Sequence, residues 1–158
     1  MTDNDRIKEL LNSEDPDKQE TGLMVLLHEG KKTNYIDELK KCVNSSDDKV
    51  RLAANMVMGK IFRRSLIPYL ENGLKDKIER IRMNSAISLA RYKNEKAIPV
   101  LKDILKNDIS DHSLHKRAIE ALSKYKNEDF LDLFEQMLQH RRIVSRIRIF
   151  CSLKRFPP

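Results

Sequence analysis

Apolar residues along this chain fall at three- and four-residue steps, in paired runs separated by short polar breaks. A longer run such as Val50 to Phe62 is followed by a shorter one, Leu66 to Leu74, and the shorter pattern returns from Ile98 to Leu105. Steps of three and four put such residues on one face of an α-helix, so the pattern predicts helix pairs. The longer runs open after residues whose side chains accept hydrogen bonds from free helix N–H groups: Asp15 before Pro16, Ser46-Asp47-Asp48, and Ser110-Asp111. Pro16 suits a first helical turn, where no N–H is needed. A leading helix near Asp5 to Leu11 precedes the pairs.

The pairs are copies of one another. A shift of 31 residues superposes Val50-Arg51 on Ile81-Arg82, Met58 on Leu89, Ile67-Pro68 on Ile98-Pro99 and Leu74 on Leu105. A further shift of 33 carries Arg91-Tyr92-Lys93-Asn94-Glu95 onto Lys124-Tyr125-Lys126-Asn127-Glu128, and a backward shift of 31 places Met58 on Leu27 and Leu70 on Leu39. Neither helix of a pair can bury its stripe alone, so the pairs must stack on their neighbours. The units run at roughly 13–45, 46–76, 77–107 and 108–139, with a terminal half-unit at 140–158, in a single domain spanning 1–158. The expected fold is all-α, a right-handed alpha-alpha superhelix of about four to five helical pairs.

The best-preserved unit carries Asp47, Val50-Arg51 and Ala53-Ala54, then the pair Met58-Gly59, then Ile67-Pro68-Tyr69-Leu70. This arrangement resembles the HEAT repeat, and within that family the short repeats of the phycobilisome-lyase subclass. The resemblance covers nearly the whole chain, most closely Asp47 to Leu105. It implies a HEAT-like solenoid in which an Asp before the first helix and an Arg within it form a ladder between units. The matching column here reads Glu20, Arg51, Arg82, His115, Arg146, so the ladder is expected to break at Glu20 and His115, and its arginines are structural. The family holds scaffolds, adaptors, nucleic-acid binders and a few enzymes, so function has to come from individual residues.

Composition narrows the choices. Of 158 residues, 40% are hydrophobic and 35% charged, with four Gly and five Pro, which suits a charged helical protein and is too apolar for a disordered one. No apolar run is long enough to cross a membrane, and Met1 to Arg6 lacks the layout of a signal peptide. Cys42 and Cys151 are far apart and offer no disulfide framework, which points to the cytoplasm. Net charge is +7, yet residues 139–158 hold six basic residues and no acid, leaving 25 basic and 24 acidic side chains in residues 1–138.

Candidate chemistry is thin. His112 and His115 share a helix face, but no third metal ligand is apparent, so no metal is expected. His28-Glu29 is compared with deoxyhypusine hydroxylases, HEAT-repeat enzymes whose several His-Glu pairs hold two irons. The equivalent positions here are Gly59-Lys60, Ala90-Arg91 and Ser123-Lys124, so one pair stands alone. HEAT-like DNA glycosylases use tryptophan in a basic groove, and this chain has no Trp. The columns along the second helices, Lys40, Glu71, Lys102, Glu135 and Lys41, Asn72, Asp103, Gln136, alternate in sign, whereas phosphate tracking needs one sign. No Gly-rich phosphate loop, Cys-x-x-Cys, serine-nucleophile motif or paired-carboxylate signature occurs, so neither catalysis nor a cofactor is expected.

Two surfaces stand out. Tyr69, Val100 and Leu133 form one column of the second helices; they either pack between repeats or make an apolar strip for a partner helix or peptide. From Gln139 to Phe156, Ile143, Val144, Ile147, Ile149, Phe150, Cys151, Leu153 and Phe156 cover more than half of a helix's circumference, and no second helix is expected to cover the far flank. That flank, rimmed by Arg142, Arg146 and Arg148 with Ile147 and Phe150, is expected to meet an acidic protein partner, phosphates or a second copy. The expected function is a non-catalytic protein-interaction scaffold or adaptor. The alternatives are nucleic-acid binding through the basic C-terminal segment and, from the resemblance, a bilin-lyase-like accessory role.

Overall fold

The computed structural model describes residues 2–29, 32–106 and 112–125, and among them every regular element is helical. Eight α-helices follow in order: α1 (Asp3–Leu11), α2 (Pro16–Glu29), α3 (Ile36–Cys42), α4 (Asp48–Lys60), α5 (Ile67–Gly73), α6 (Glu79–Ala90), α7 (Ile98–Lys106) and α8 (His112–Leu122). The longer helices stack as one row, α2 on α4, α4 on α6 and α6 on α8. The shorter helices α1, α3, α5 and α7 form the second row, each packed against the longer helix that follows it. This is an alpha-alpha solenoid.

Local chemistry explains the boundaries. Thr2 and Asp5 form a reciprocal capping box that starts α1. Asp47 caps α4, its Oδ1 accepting from the N–H of Lys49 at 2.9 Å and of Val50 at 3.0 Å. One turn earlier a second device recurs at the repeat period: Ser13, Ser45 and Asp76 each accept the N–H two residues on, at 3.2, 3.2 and 2.9 Å. A 3-10 turn (Lys32–Tyr35, Arg64–Leu66, Glu95–Ala97) precedes α3, α5 and α7, and Pro68 and Pro99 sit at the second residue of the helix that follows, where a missing N–H is harmless.

The core runs continuously along the stack. Met58, Leu89 and Leu122 in one column and Leu39, Leu70 and Leu101 in another are fully buried in register with the repeat, while in α2 the buried residues are Leu23 and Leu26 and the expected Leu27 is half-buried. A polar seam crosses this core between α4 and α6. Asn55 Nδ2 donates to Ser85 Oγ at 2.7 Å and Ser88 Oγ donates to the carbonyl of Asn84 at 2.7 Å, while Asn55 Oδ1 is buried without a partner. The seam exists because the helices approach closely there. A Cβ on Gly73, at the end of α5, would run into Ser85 Oγ and come within 3.0 Å of Asn55 Nδ2.

Gly73→Ala should therefore overpack the α5–α6 contact and lower stability by about 1–3 kcal/mol, measured by urea unfolding. Adding Ser85→Ala should recover part of that loss, and a lossless Gly73→Ala would mean the contact yields freely.

Candidate functional site

Helix pairs that run out and back bring the turns between units (12–17, 43–48, 74–79) to one edge of the stack. The turns within units (60–66, 91–97, 123–125) come to the other. The two edges have different chemistry.

At the first edge the column of arginines is built into the fold. Arg51 uses all five of its N–H groups. Nε donates to Asp76 Oδ2 at 3.0 Å, Nη2 to Asp48 Oδ1 at 2.6 Å and Asp76 Oδ1 at 3.4 Å, and Nη1 to the carbonyls of Ser45 and Ser46 at 3.0 and 2.9 Å. Only 12% of the Arg51 side chain and 14% of that of Asp76 is exposed. Arg82 repeats the backbone half of this pattern, donating to the carbonyls of Asp76 and Lys77 at 2.8 and 3.0 Å. The Arg51 guanidinium, with all five N–H groups engaged, has no donor left for a ligand. Burial works against charge on Asp76, but Arg51 and the N–H of Ile78 outweigh it and hold the carboxyl below its usual range. The pairings of Asp48 with Lys77 and Arg51 lower its carboxyl too. Of the two expected breaks, Glu20 is half-buried on α2, and His115 lies in α8.

The second-row face carries the alternating columns. Lys40 pairs with Asp37 at 2.9 Å, and Lys41 donates to Asn12 Oδ1 at 3.2 Å. Glu71 accepts from Lys96 at 2.6 Å and from Asn94 at 2.7 Å, which keeps its carboxyl below the usual range. Tyr69 on α5 and Val100 on α7 are half-buried and packed against the core. Leu133, Arg142, Arg146, Ile147, Arg148 and Phe150 lie outside the described residues. Among the described residues no cluster of three or more His, Cys, Asp or Glu is placed to hold a metal ion.

The second edge was not singled out by the sequence. Here the chain reaches back one unit at a time: Lys60 to the carbonyl of Leu27 at 3.4 Å, Arg91 to that of Gly59 at 2.7 Å, Tyr92 to those of Ile61 and Arg63 at 3.3 and 3.0 Å, and Tyr125 to that of Asn94 at 2.6 Å. Burial, with Glu95 adding to it, pushes the Tyr125 hydroxyl up to about 12. Over this framework lies Phe62, 62% exposed, its ring stacked on Tyr92 with centroids 4.7 Å apart and planes 13° from parallel, and with the Arg91 guanidinium 5.1 Å from its centre. Arg63, Arg64, Lys93 and, one unit further on, Lys124 are exposed on the same edge and pair with no carboxylate among the described residues. The available signal was the column Lys60, Arg91, Lys124, which rules out paired iron ligands and at the same time supplies repeated cations.

Residues 36–112 match the family model of HEAT repeats. The HEAT match runs from the start of α3 into α8. Two solved structures share the fold. An engineered protein from the Northeast Structural Genomics Consortium matches over 98% of this chain and 78% of its own, with a TM-score of 0.65 and 17% identity. YibA of Escherichia coli matches over 97% of this chain and 70% of its own, with a TM-score of 0.53 and 20% identity. Identities this low establish the fold alone. A search of curated protein sequences gives no match.

The Arg51–Asp76 pair makes a pH-dependent contribution to stability. Because the folded carboxyl titrates below its unfolded value of about 3.9, the stabilisation is full above that value and is lost as pH falls through the folded one. Asp76→Asn should cost about 1–3 kcal/mol at pH 7, and its unfolding free energy should fall less steeply than that of the wild type between about pH 5 and pH 2. Parallel pH slopes for the two proteins would refute this account.

Proposed function

We propose that this chain is a non-catalytic scaffold or adaptor that holds a protein partner against its second-row face. The observation that carries the reading is the contrast between positions along the stack. Ladder and core positions recur from unit to unit, while the second-row columns Lys40, Glu71, Lys102 and Lys41, Asn72, Asp103 change at every step. A rigid framework bearing a varied surface suits the recognition of one extended partner, as HEAT repeats generally do. Tyr69 and Val100 contribute the half-buried apolar part of that face. On sequence grounds the stack continues through 108–139 into the half-unit 140–158. There Leu133 extends the apolar column, and Ile147 and Phe150, rimmed by Arg142, Arg146 and Arg148, offer a second contact for an acidic partner or another copy of the chain.

Affinity capture from the native cell, with nuclease present, tests the reading. A partner should be retained by the wild type and lost at least about tenfold with Lys41→Glu plus Asp103→Lys, both residues being exposed and the helical content unchanged. Retention of every captured protein by that variant would overturn the second-row assignment. For the terminal contact, sedimentation of wild type against Ile147→Glu plus Phe150→Glu should show self-association in the first and a monomer in the second. The bilin-lyase-like alternative predicts an absorbance shift on mixing with a bilin.

A further inference from the structure

We infer that the edge formed by the turns within units binds single-stranded nucleic acid, with phosphates on its cations and a base against Phe62. Three observations converge on this. The first is unpaired charge: Lys60, Arg63 and Arg64 from one turn, Arg91 and Lys93 from the next, and Lys124 from the third are all exposed, with Glu95 the exposed acid among them. Glu71 of the second row is already taken by Lys96 and Asn94. With helix rows spaced about 8–10 Å apart, three successive turns lay a basic track of about 20 Å. Cations at helix C-termini are common because they complement the helix dipole, and that alone accounts for Lys60, Arg91 and Lys124. It does not account for Arg63 and Arg64, at the far side of their turn, or for Lys93, at the left-handed position of the next.

The second observation is the ring. Phe62, from the first of the three turns, is supported by Tyr92 and Arg91 of the second but left 62% exposed. A ring held flat beside free cations suits a partner that carries both a polyanionic backbone and planar faces. An acidic peptide lacks regular planar groups, and a duplex hides its base faces, so a single strand fits best.

The third is a local conformation at odds with its residue. Lys93 has φ 54°, the left-handed position that ends α6, and the N–H of Asn94 reaches back to the carbonyl of Leu89 at 3.3 Å. Glycine is the residue that fits this position without strain. A lysine there sacrifices stability to place a cation on the track, a trade typical of functional surfaces. The proposal is independent of the second-row reading, because it uses different turns.

The test is fluorescence anisotropy with a labelled oligothymidylate of about twenty nucleotides, at several salt concentrations, on the full chain. Phe62→Ala should weaken binding at least about fivefold. Arg63→Glu with Arg64→Glu should weaken it about tenfold or more and reduce the salt slope by about 1.4, the share of two single-strand phosphate contacts. Lys93→Gly should raise the melting midpoint while weakening binding. All four residues are exposed, and circular dichroism checks that each variant keeps its helices. Four results would overturn the proposal: no binding at low salt; binding lost only with Arg142→Glu, Arg146→Glu and Arg148→Glu; polyglutamate competing as strongly as the oligonucleotide; or a matched duplex binding more tightly than the single strand and unaffected by Phe62→Ala.

Discussion

The whole stack depends on burial that no single unit can complete. The helices α3 and α5 have seven residues each, about two turns, far too short to hold together in water without tertiary contacts. Their apolar stripes are covered only when the next unit arrives at a fixed offset, and that offset is set by polar contacts at both edges. Arg51 reaches Asp76 25 residues on, while Arg91, Tyr92 and Tyr125 each reach back about one repeat to a carbonyl of the preceding unit. Carbonyls at helix ends and loops need partners once they are shielded from water, so these contacts satisfy the backbone and fix register together. The ladders and the core are two aspects of one constraint, a constant step between units.

That constraint is why so much of the architecture could be read from the sequence. A constant step forces equivalent positions to recur, and the recurrence of Val50-Arg51 as Ile81-Arg82, or of Ile67-Pro68 as Ile98-Pro99, is the step itself written in residues. Asp47 as a cap and Pro16 at a helix start followed from local hydrogen-bonding needs that do not depend on tertiary context. Readings that depended on orientation fared differently. The run ending at Phe62 places that ring in a helical stripe, but α4 stops at Lys60 and Ile61 is extended, at φ −91° and ψ 129°, which turns Phe62 outward. A three- and four-residue pattern has no way to mark the residue at which a helix gives out.

Charge was hidden for a different reason. Summed along the chain, acids and bases nearly cancel through residue 138. The path alternates between edges about every fifteen residues, the length of one helix and its turn, so residues adjacent in a running average are separated by the height of the solenoid. Only folding sorts them. Lys60, Arg91 and Lys124 share a sequence column, yet their meaning depends on Arg63 and Arg64, which have no basic counterpart in the next unit, and on Lys93, which has none in the unit before.

Arginine shows the two outcomes of that sorting most directly. At the edge between units, Asp47 caps α4 and Asp76 accepts the N–H of Ile78, and Asp76 together with Asp48 and the loop carbonyls of Ser45 and Ser46 saturates Arg51. At the opposite edge the turns close with 3-10 geometry that runs into α5 and α7, helices with proline at the second residue and no acidic cap, and Arg63 and Arg64 meet no carboxylate among the described residues. The same helix-start chemistry that neutralises one edge thus leaves the other positive. Along that edge the exposed cations Lys60, Arg63, Arg64, Arg91, Lys93 and Lys124 follow one another in the order of the units.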